Sequence, residues 1–270
     1  MRFHIRRSLA SADLTTPAVC AGFCAFGSWL GLVAFVMAAL LPSVPVAAAE
    51  FSAAQRGEIE AIIKDYLMKN PDVMLDVLQA AKDKMESQSH DKAAVALVAR
   101  RHELLDDPDT PIAGNPQGDV SLVEFFDYRC PYCKQVVPAL EALLRQDPKL
   151  RFVYKEFPVL GAESVSAARA ALASRKQGKY DAMHRALMAL KGHFDDAAVF
   201  QAASSAGLDI AQLKRDMNTP EIERMIKANT DLAAALDIRG TPGFVIGDEI
   251  VPGAVSLETL KQLIVAARKK

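Results

Sequence analysis

Cysteine is scarce in this sequence, with four among 270 residues. Cys20 and Cys24 lie inside an apolar N-terminal stretch, so a cleaved leader would take them away. The chain then keeps only Cys130 and Cys133, which two residues separate. One closely spaced pair excludes the disulfide framework of a small secreted domain, and in an oxidising compartment such a pair is more often catalytic than structural.

The sequence also lacks the ligand sets of common metal sites. A structural zinc site needs four ligands, and the chain after the leader offers one cysteine pair. Its histidines have no matching spacing, and we expect all of them to be surface residues: His90, His102, His184 and His193. No resident metal or other cofactor is therefore predicted. Binding of Cu(I) by the two thiolates stays an alternative, because soft ligands select soft ions.

The sequence also has no large excess of charge of one sign. The 32 basic residues nearly balance 33 acidic ones, for a net charge of −1. Nucleic acid is excluded as a partner, because binding it would need a concentrated basic face. The length indicates one enlarged domain with an extension, and we find neither an internal repeat nor a low-complexity tract.

Residues 1–49 have the pattern of a signal peptide. Three arginines within the first seven residues precede an apolar run over residues 18–41, and a small-residue cleavage site follows at residues 46–49. The run is long enough to cross a bilayer, which needs about 20 apolar residues, so an uncleaved anchor in the inner membrane is the alternative. Both interpretations place the remaining chain in the periplasm.

The two remaining cysteines form a Cys-Pro-Tyr-Cys motif between a strand and a helix. The apolar run Val120–Phe126 predicts a buried strand, and residues 134–146 predict an amphipathic helix. The backbone N–H groups and the dipole at the start of that helix would stabilise a thiolate on Cys130. Cys133, one turn further on, could then attack a mixed disulfide at Cys130. The junction predicts a redox site of the thioredoxin-like kind.

The sequence around this motif predicts a mixed α/β domain interrupted by helices. We expect an edge strand within residues 111–116 and a third strand at residues 150–157, joined to the motif strand by a right-handed parallel crossover. Residues 161–236 are predicted to be a series of helices. The chain closes with two short strands and a helix, at residues 244–247, 250–251 and 256–268.

A second element must reach the cysteines from far along the chain. Thr241-Pro242, just before a predicted buried strand, lies where a thioredoxin-like fold has its cis-proline loop. A cis X-Pro bond costs only about 0.5–1 kcal/mol, so a tight turn can hold it. Thr241 would then offer strand-type backbone hydrogen bonds to a peptide that lies across Cys130.

Residues 50–105 are predicted to form an N-terminal helical segment. Its first two helices are short, and each carries an apolar face that it cannot bury alone. The face of the second helix is close to a heptad stripe, formed by Met74, Val77, Leu78, Ala81 and Met85. These faces pack either on the main domain or on copies of the segment, which gives a homo-oligomer through residues 50–88. A polar break is expected at residues 87–90.

The run from Val123 to Lys134, VEFFDYRCPYCK, resembles the DsbA family of exported thiol–disulfide oxidoreductases. The predicted helical insertion resembles the inserted helical domain of that family. The N-terminal helical segment is similar to its ScsC-like branch, the suppressor of copper sensitivity proteins. The resemblance implies a thioredoxin-like fold over residues 106–270, with the insertion at about residues 161–236 and an N-terminal helical extension before it.

The resemblance also implies roles for individual residues. Cys130 matches the exposed nucleophile, and Cys133 matches the buried resolving cysteine. Glu124 matches a buried acid below the site, which would accept the proton of Cys133 because a desolvated carboxylate has a raised pKa. Lys155 on the next strand is a candidate partner for Glu124. The residues implied in substrate binding are Pro131, Tyr132, Thr241 and Pro242.

One departure from the family pattern bears on the direction of electron flow. Oxidases of the DsbA type typically carry histidine where this sequence has Tyr132, and Pro-Tyr is the dipeptide of glutaredoxins. Weaker stabilisation of the thiolate predicts a less oxidising couple. Thr241 before the proline resembles the isomerase DsbC. These features favour an isomerase or reductase, with a disulfide oxidase as the alternative.

The implied partners are proteins that contain cysteines or disulfides and a membrane redox protein. This membrane protein would be DsbD- or ScsB-like if it keeps the site reduced, and DsbB-like if it keeps the site oxidised. A different class of function stays open. In that alternative the chain is an oligomeric periplasmic chaperone or a copper-binding module whose thiols act as ligands.

Overall fold

The computed structural model of the protein describes residues 51–192 and 194–269. The predicted signal peptide and His193 therefore lie outside the described residues. Within this part of the chain, no helix has both the length and the apolar character needed to cross a membrane.

The described chain begins with helices and continues into a mixed α/β domain. The first three helices are α1 (Ala53–Lys69), α2 (Pro71–Ala99) and α3 (Arg101–Leu105). The strands are β1 (Ile112–Gly114), β2 (Val120–Phe126), β3 (Leu150–Glu156), β4 (Gly243–Ile246) and β5 (Glu249–Pro252). Helix α4 (Pro131–Gln146) joins β2 to β3, and α10 (Leu257–Ala267) follows β5.

Among the described residues, five α-helices and a short 3-10 helix (Arg175–Gln177) lie between β3 and β4, where the sequence predicts the insertion. The α-helices are α5 (Ala162–Ser174), α6 (Tyr180–Ala189), α7 (Asp196–Ser205), α8 (Ile210–Asp216) and α9 (Pro220–Ala235). Side chains cap two of them at the N-terminus: Asp195 accepts from the backbone of Ala198, and Asp209 from that of Gln212. The α/β thioredoxin-like fold class predicted from the sequence is confirmed.

The sheet has the strand order β1-β3-β2-β4-β5. Strands β2 and β3 are parallel, whereas the other neighbours are antiparallel. Alternate residues of each strand face opposite sides. The side with Leu122 and Phe126 packs on α4 and the inserted helices, and the side with Val123 and Phe125 packs on residues of α2, α3 and α9.

Helix α2 corrects one prediction, because it runs through residues 87–90 without the expected break. Serine, glutamine and histidine weaken a helix only slightly, and neither glycine nor proline interrupts this stretch. A tertiary contact supports it there: Ser89 Oγ donates to Asp237 Oδ2 at 2.6 Å.

The apolar stripe of α2 is not part of the core. Its large side chains are exposed, from 43% for Met74 to 70% for Met85. Packing of this stripe on the main domain, one of the two alternatives, is therefore wrong, because these side chains face solvent.

Candidate active site

Cys130 is the N-cap residue of α4, and Pro131 is the first residue of the helix. The N–H of Cys130 donates to the carbonyl of Asp127 at 3.0 Å, which closes a tight turn after β2. The N–H of Cys133 donates to Cys130 Sγ at 3.4 Å. The turn thus places the first sulfur against the unpaired N–H groups at the start of a helix, where a thiolate is stabilised.

The Thr241–Pro242 peptide bond is cis, and it lies beside this sulfur. Cys130 Sγ donates to the carbonyl oxygen of Thr241 at 3.2 Å. Strand β4 begins directly after the proline and pairs with β2, which brings the two loops to the same end of the sheet. The structure therefore brings together the four residues Cys130, Cys133, Thr241 and Pro242.

The residues of the motif differ in their access to solvent. Cys130 is only 4% exposed, so it is less accessible than the exposed nucleophile that the family resemblance implies. Cys133 is fully buried, whereas Tyr132 between the two cysteines is 61% exposed. Burial raises the pKa of the Cys133 thiol well above its usual range, and the nearby Glu124 carboxylate raises it further.

Glu124 is buried on β2, on the side of the sheet that faces α4. Burial raises the pKa of its carboxyl to about 8, and Oε1 has no hydrogen-bond partner among the described residues. Glu124 also lines a cavity of about 570 Å³, together with residues of β1, α4 and α6. The carboxyl is therefore mostly protonated near pH 7, its ionised form raises the pKa of the nearby Cys133 thiol, and open space adjoins it.

Lys155 does not pair with Glu124, which corrects the prediction. In the parallel register Glu124 is opposite Tyr154, so Lys155 points to the other side of the sheet. Its Nζ donates to the carbonyl of Glu103 at 2.8 Å and to Thr110 Oγ1 at 2.7 Å. Burial lowers the pKa of Lys155 to about 8.

Asp127 organises the loop beside the cysteines, although sequence reasoning did not single it out. Its carboxylate is buried and accepts hydrogen bonds from the backbone N–H groups of Val159 and Leu160 and from Ser164 Oγ. It also accepts from the N–H of Arg129, within the cysteine turn. The signal in the sequence that could have identified Asp127 was an acidic residue directly after a predicted buried strand.

A second group that sequence reasoning missed is a buried acid network of four side chains: Tyr128, Glu156, Tyr180 and His184. Both phenols donate to Glu156 Oε1, at 2.7 and 2.8 Å, and the hydroxyl of Tyr128 lies 3.1 Å from His184 Nδ1. His184 is therefore buried, and its prediction as a surface residue is wrong. Burial lowers the pKa of His184 to about 3 and raises that of Glu156 to about 8.

The structure offers little to a metal ion. Over residues 51–192 and 194–269, no three side chains among histidine, cysteine, aspartate and glutamate form a group suited to holding one. The cysteines that these ranges contain are Cys130 and Cys133, and both are free thiols.

The sequence matches two family descriptions. Residues 121–265 match the DSBA-like thioredoxin domain, and residues 55–87 match the copper resistance protein ScsC N-terminal domain. The first match spans more than half of the chain, and it contains the cysteine pair and the cis-proline loop. The chain belongs to the DSBA-like thioredoxin domain family.

Solved structures of similar proteins agree with this assignment. A thioredoxin-like oxidoreductase from Silicibacter pomeroyi is 47% identical, with a TM-score of 0.62 over 63% of this chain and 98% of the other. A linker-deletion mutant of ScsC from Proteus mirabilis is 30% identical, with a TM-score of 0.63 over 82% of this chain and 98% of the other. The second likeness extends beyond the catalytic domain.

Curated relatives include much longer proteins. The Na(+)/H(+) antiporter NhaA 3 of Salinispora tropica is 27% identical over 184 residues, which is 65% of this chain and 28% of the antiporter. The chain thus spans about a quarter of the length of such relatives.

Proposed function

We propose that the chain is an exported thiol–disulfide oxidoreductase that exchanges disulfides in proteins through Cys130 and Cys133. The observation that carries this proposal is the position of Cys130 Sγ, which lies at a helix N-terminus and 3.2 Å from the carbonyl oxygen of Thr241. A peptide that pairs with the backbone of Thr241 would hold its own sulfur next to Cys130.

The reaction is a pair of sulfur displacements. The Cys130 thiolate attacks one sulfur of a substrate disulfide, forms a mixed disulfide and releases the other substrate sulfur as a thiolate. Cys133 then attacks the Cys130 sulfur, which forms the Cys130–Cys133 disulfide and releases the second substrate thiolate. Two electrons pass to the substrate. In isomerisation a substrate thiolate instead displaces Cys130, and no net electrons move.

Glu124 is proposed as the acceptor of the Cys133 proton. Cys133 must lose a proton before it can attack, yet burial keeps its thiol protonated. With a pKa of about 8, the Glu124 carboxyl is ionised in a minority of molecules near neutral pH, and this ionised form can take up the Cys133 proton and later return it. The adjoining cavity gives that proton a route toward solvent.

Substrate contacts are assigned to four residues around the cysteine pair. Tyr132 presents an exposed aromatic ring beside the cysteines, and Pro131 leaves the helix start without an N–H. Thr241 and Pro242 are proposed to bind the backbone of the substrate. Tyr132 and Thr241 also support the choice of isomerase or reductase over oxidase, for the reasons the sequence provides.

The predicted leader and the apolar stripe of α2 support a location and a set of partners. The predicted leader supports export to the periplasm, and a DsbD- or ScsB-like membrane protein would keep the thiols reduced. The exposed apolar stripe of α2 supports a homo-oligomer through residues 50–88, because such a stripe is stabilised by burial against a partner helix.

Refolding of scrambled ribonuclease tests the activity. The wild-type chain is expected to restore ribonuclease activity, and Cys130→Ser is expected to abolish this effect because it removes the nucleophile. Equal recovery with both proteins would refute the enzyme and favour a chaperone. The equilibrium with glutathione then gives the direction, since an oxidase would have a markedly higher reduction potential than an isomerase or reductase.

A further inference from the structure

Glu156 connects the cysteine turn to the inserted helices, although it takes no part in the proposed reaction. It is the last residue of β3, and its carboxylate oxygen Oε1 accepts from both Tyr128 and Tyr180. Tyr128 lies two residues before Cys130, whereas Tyr180 is the first residue of α6. A single oxygen atom thus links two parts of the chain that are distant in sequence.

Two further contacts strengthen this link from the side of the insertion. His184 of α6 lies 3.1 Å from the hydroxyl of Tyr128 through Nδ1. Asn229 of α9 donates to the backbone carbonyl of Glu156 at 3.1 Å. Two inserted helices therefore meet the end of β3 and the cysteine turn at the same buried position.

Packing alone does not explain an acid at this position. A carboxyl taken out of water loses its hydration, and a hydrocarbon of similar volume would fill the same space without that cost. Phenylalanine could likewise replace both tyrosines in a purely apolar core. The arrangement instead fixes directions, since each phenol O–H must point at Oε1.

We propose that Glu156 is a positioning residue for Cys130 and that it acts through Tyr128. Tyr128 belongs to the turn in which the N–H of Cys130 bonds to Asp127, and this turn sets Cys130 Sγ against the start of α4. If Tyr128 moves, the sulfur loses its place at the N–H groups that stabilise its anion. The inference rests on the proposed function, and it names how the inserted helices control the thiol.

Four variants of the full chain test this role. Tyr128→Phe removes the link to the turn and keeps the ring, whereas Tyr180→Phe removes only the link to α6. Glu156→Leu removes the acceptor, and the matched Glu156→Gln keeps an oxygen that can accept both phenols. For each variant, the Cys130 thiol pKa is measured from thiolate absorbance, together with the equilibrium constant for exchange with glutathione.

Tyr128→Phe and Glu156→Leu are expected to raise the Cys130 thiol pKa. They should also shift the glutathione equilibrium about threefold to tenfold toward the protein disulfide, the effect of losing one hydrogen bond. Tyr180→Phe should shift it less, and Glu156→Gln should stay within about twofold of wild type. If Glu156→Leu fails to fold, Tyr128→Phe carries the test.

An unchanged thiol pKa and equilibrium in Tyr128→Phe would overturn the inference, even if its unfolding midpoint fell. An equally large shift in Glu156→Gln and Glu156→Leu would also overturn it, because acceptance by the oxygen would then not matter. Neither readout needs a protein substrate. Failure of the wild type to refold scrambled ribonuclease would therefore count against the proposed function alone.

Discussion

Two buried acids, Glu124 and Glu156, lie on the same side of the sheet, and their burial has a cost that depends on pH. For Glu124 the pKa is raised from 4.5 to about 8. Between these values the unfolded chain loses the proton while the folded chain keeps it, so stability falls as the pH rises through this window. Glu156 acts in the same direction.

Glu124→Gln should remove part of this pH dependence. At about pH 8 the variant is expected to be more stable than wild type, on the order of 2–4 kcal/mol, because a raised pKa costs about 1.4 kcal/mol for each unit. Near pH 4 the two should be similar in stability. Denaturant unfolding at both pH values measures this, and parallel pH profiles would show that the Glu124 carboxyl is not desolvated.

Lys155→Met is expected to lower the stability of the fold without changing the redox equilibrium of the cysteines. The change leaves the Glu103 carbonyl and Thr110 hydroxyl without their donor, which should cost about 1–3 kcal/mol in the free energy of unfolding. The glutathione equilibrium should not move, because Lys155 lies on the side of the sheet away from the cysteines. A shifted equilibrium with unchanged stability would contradict this placement.

The face of Lys155 could not be predicted from the sequence. Strand β3 is buried on both sides and carries apolar residues on both faces, so its partial alternation does not indicate which side chains face solvent. His184 was missed for a related reason. A single histidine carries no periodic signal, and its burial depends on the tyrosines and Glu156 from other elements.

At the scale of elements, local signals were sufficient for most of the domain. The strands begin and end within a few residues of their predicted positions, and the inserted helices fill the predicted range of residues 161–236, because turns, prolines and capping residues mark the ends of elements. The unbroken helix α2 could not be predicted in this way. Its support near Ser89 comes from Asp237, which is 148 residues away.

The exposed stripe of α2 leads to a prediction about assembly. If the proposed oligomer forms, Leu78→Glu should convert it into monomers, because the variant places a charge in the apolar face that copies would bury. Gln79→Glu is the matched control, since it adds the same group outside the apolar stripe, about 100° around the helix from Leu78. Sedimentation at micromolar concentration measures both, and a monomeric wild type would refute the oligomer.

At the scale of the whole molecule, the site is assembled from parts that the sequence keeps far apart. The cysteine motif is local, so its sequence alone indicated its chemistry. The position of Thr241 at Cys130 could be predicted only through the expected fold, because 111 residues separate the two. Neither the local motif nor the expected fold could predict the buried acid network, since it depends on side-chain directions in the assembled core.

The central claim is that Cys130 captures a substrate sulfur and Cys133 releases it. Incubation of Cys133→Ser and Cys130→Ser with a disulfide-containing peptide, followed by intact-mass analysis, tests this directly. Cys133→Ser should accumulate one peptide per chain through Cys130, because the resolving thiol is gone, whereas Cys130→Ser should accumulate little. Equal labelling of the two variants, or a stable adduct on Cys133 alone, would contradict the account.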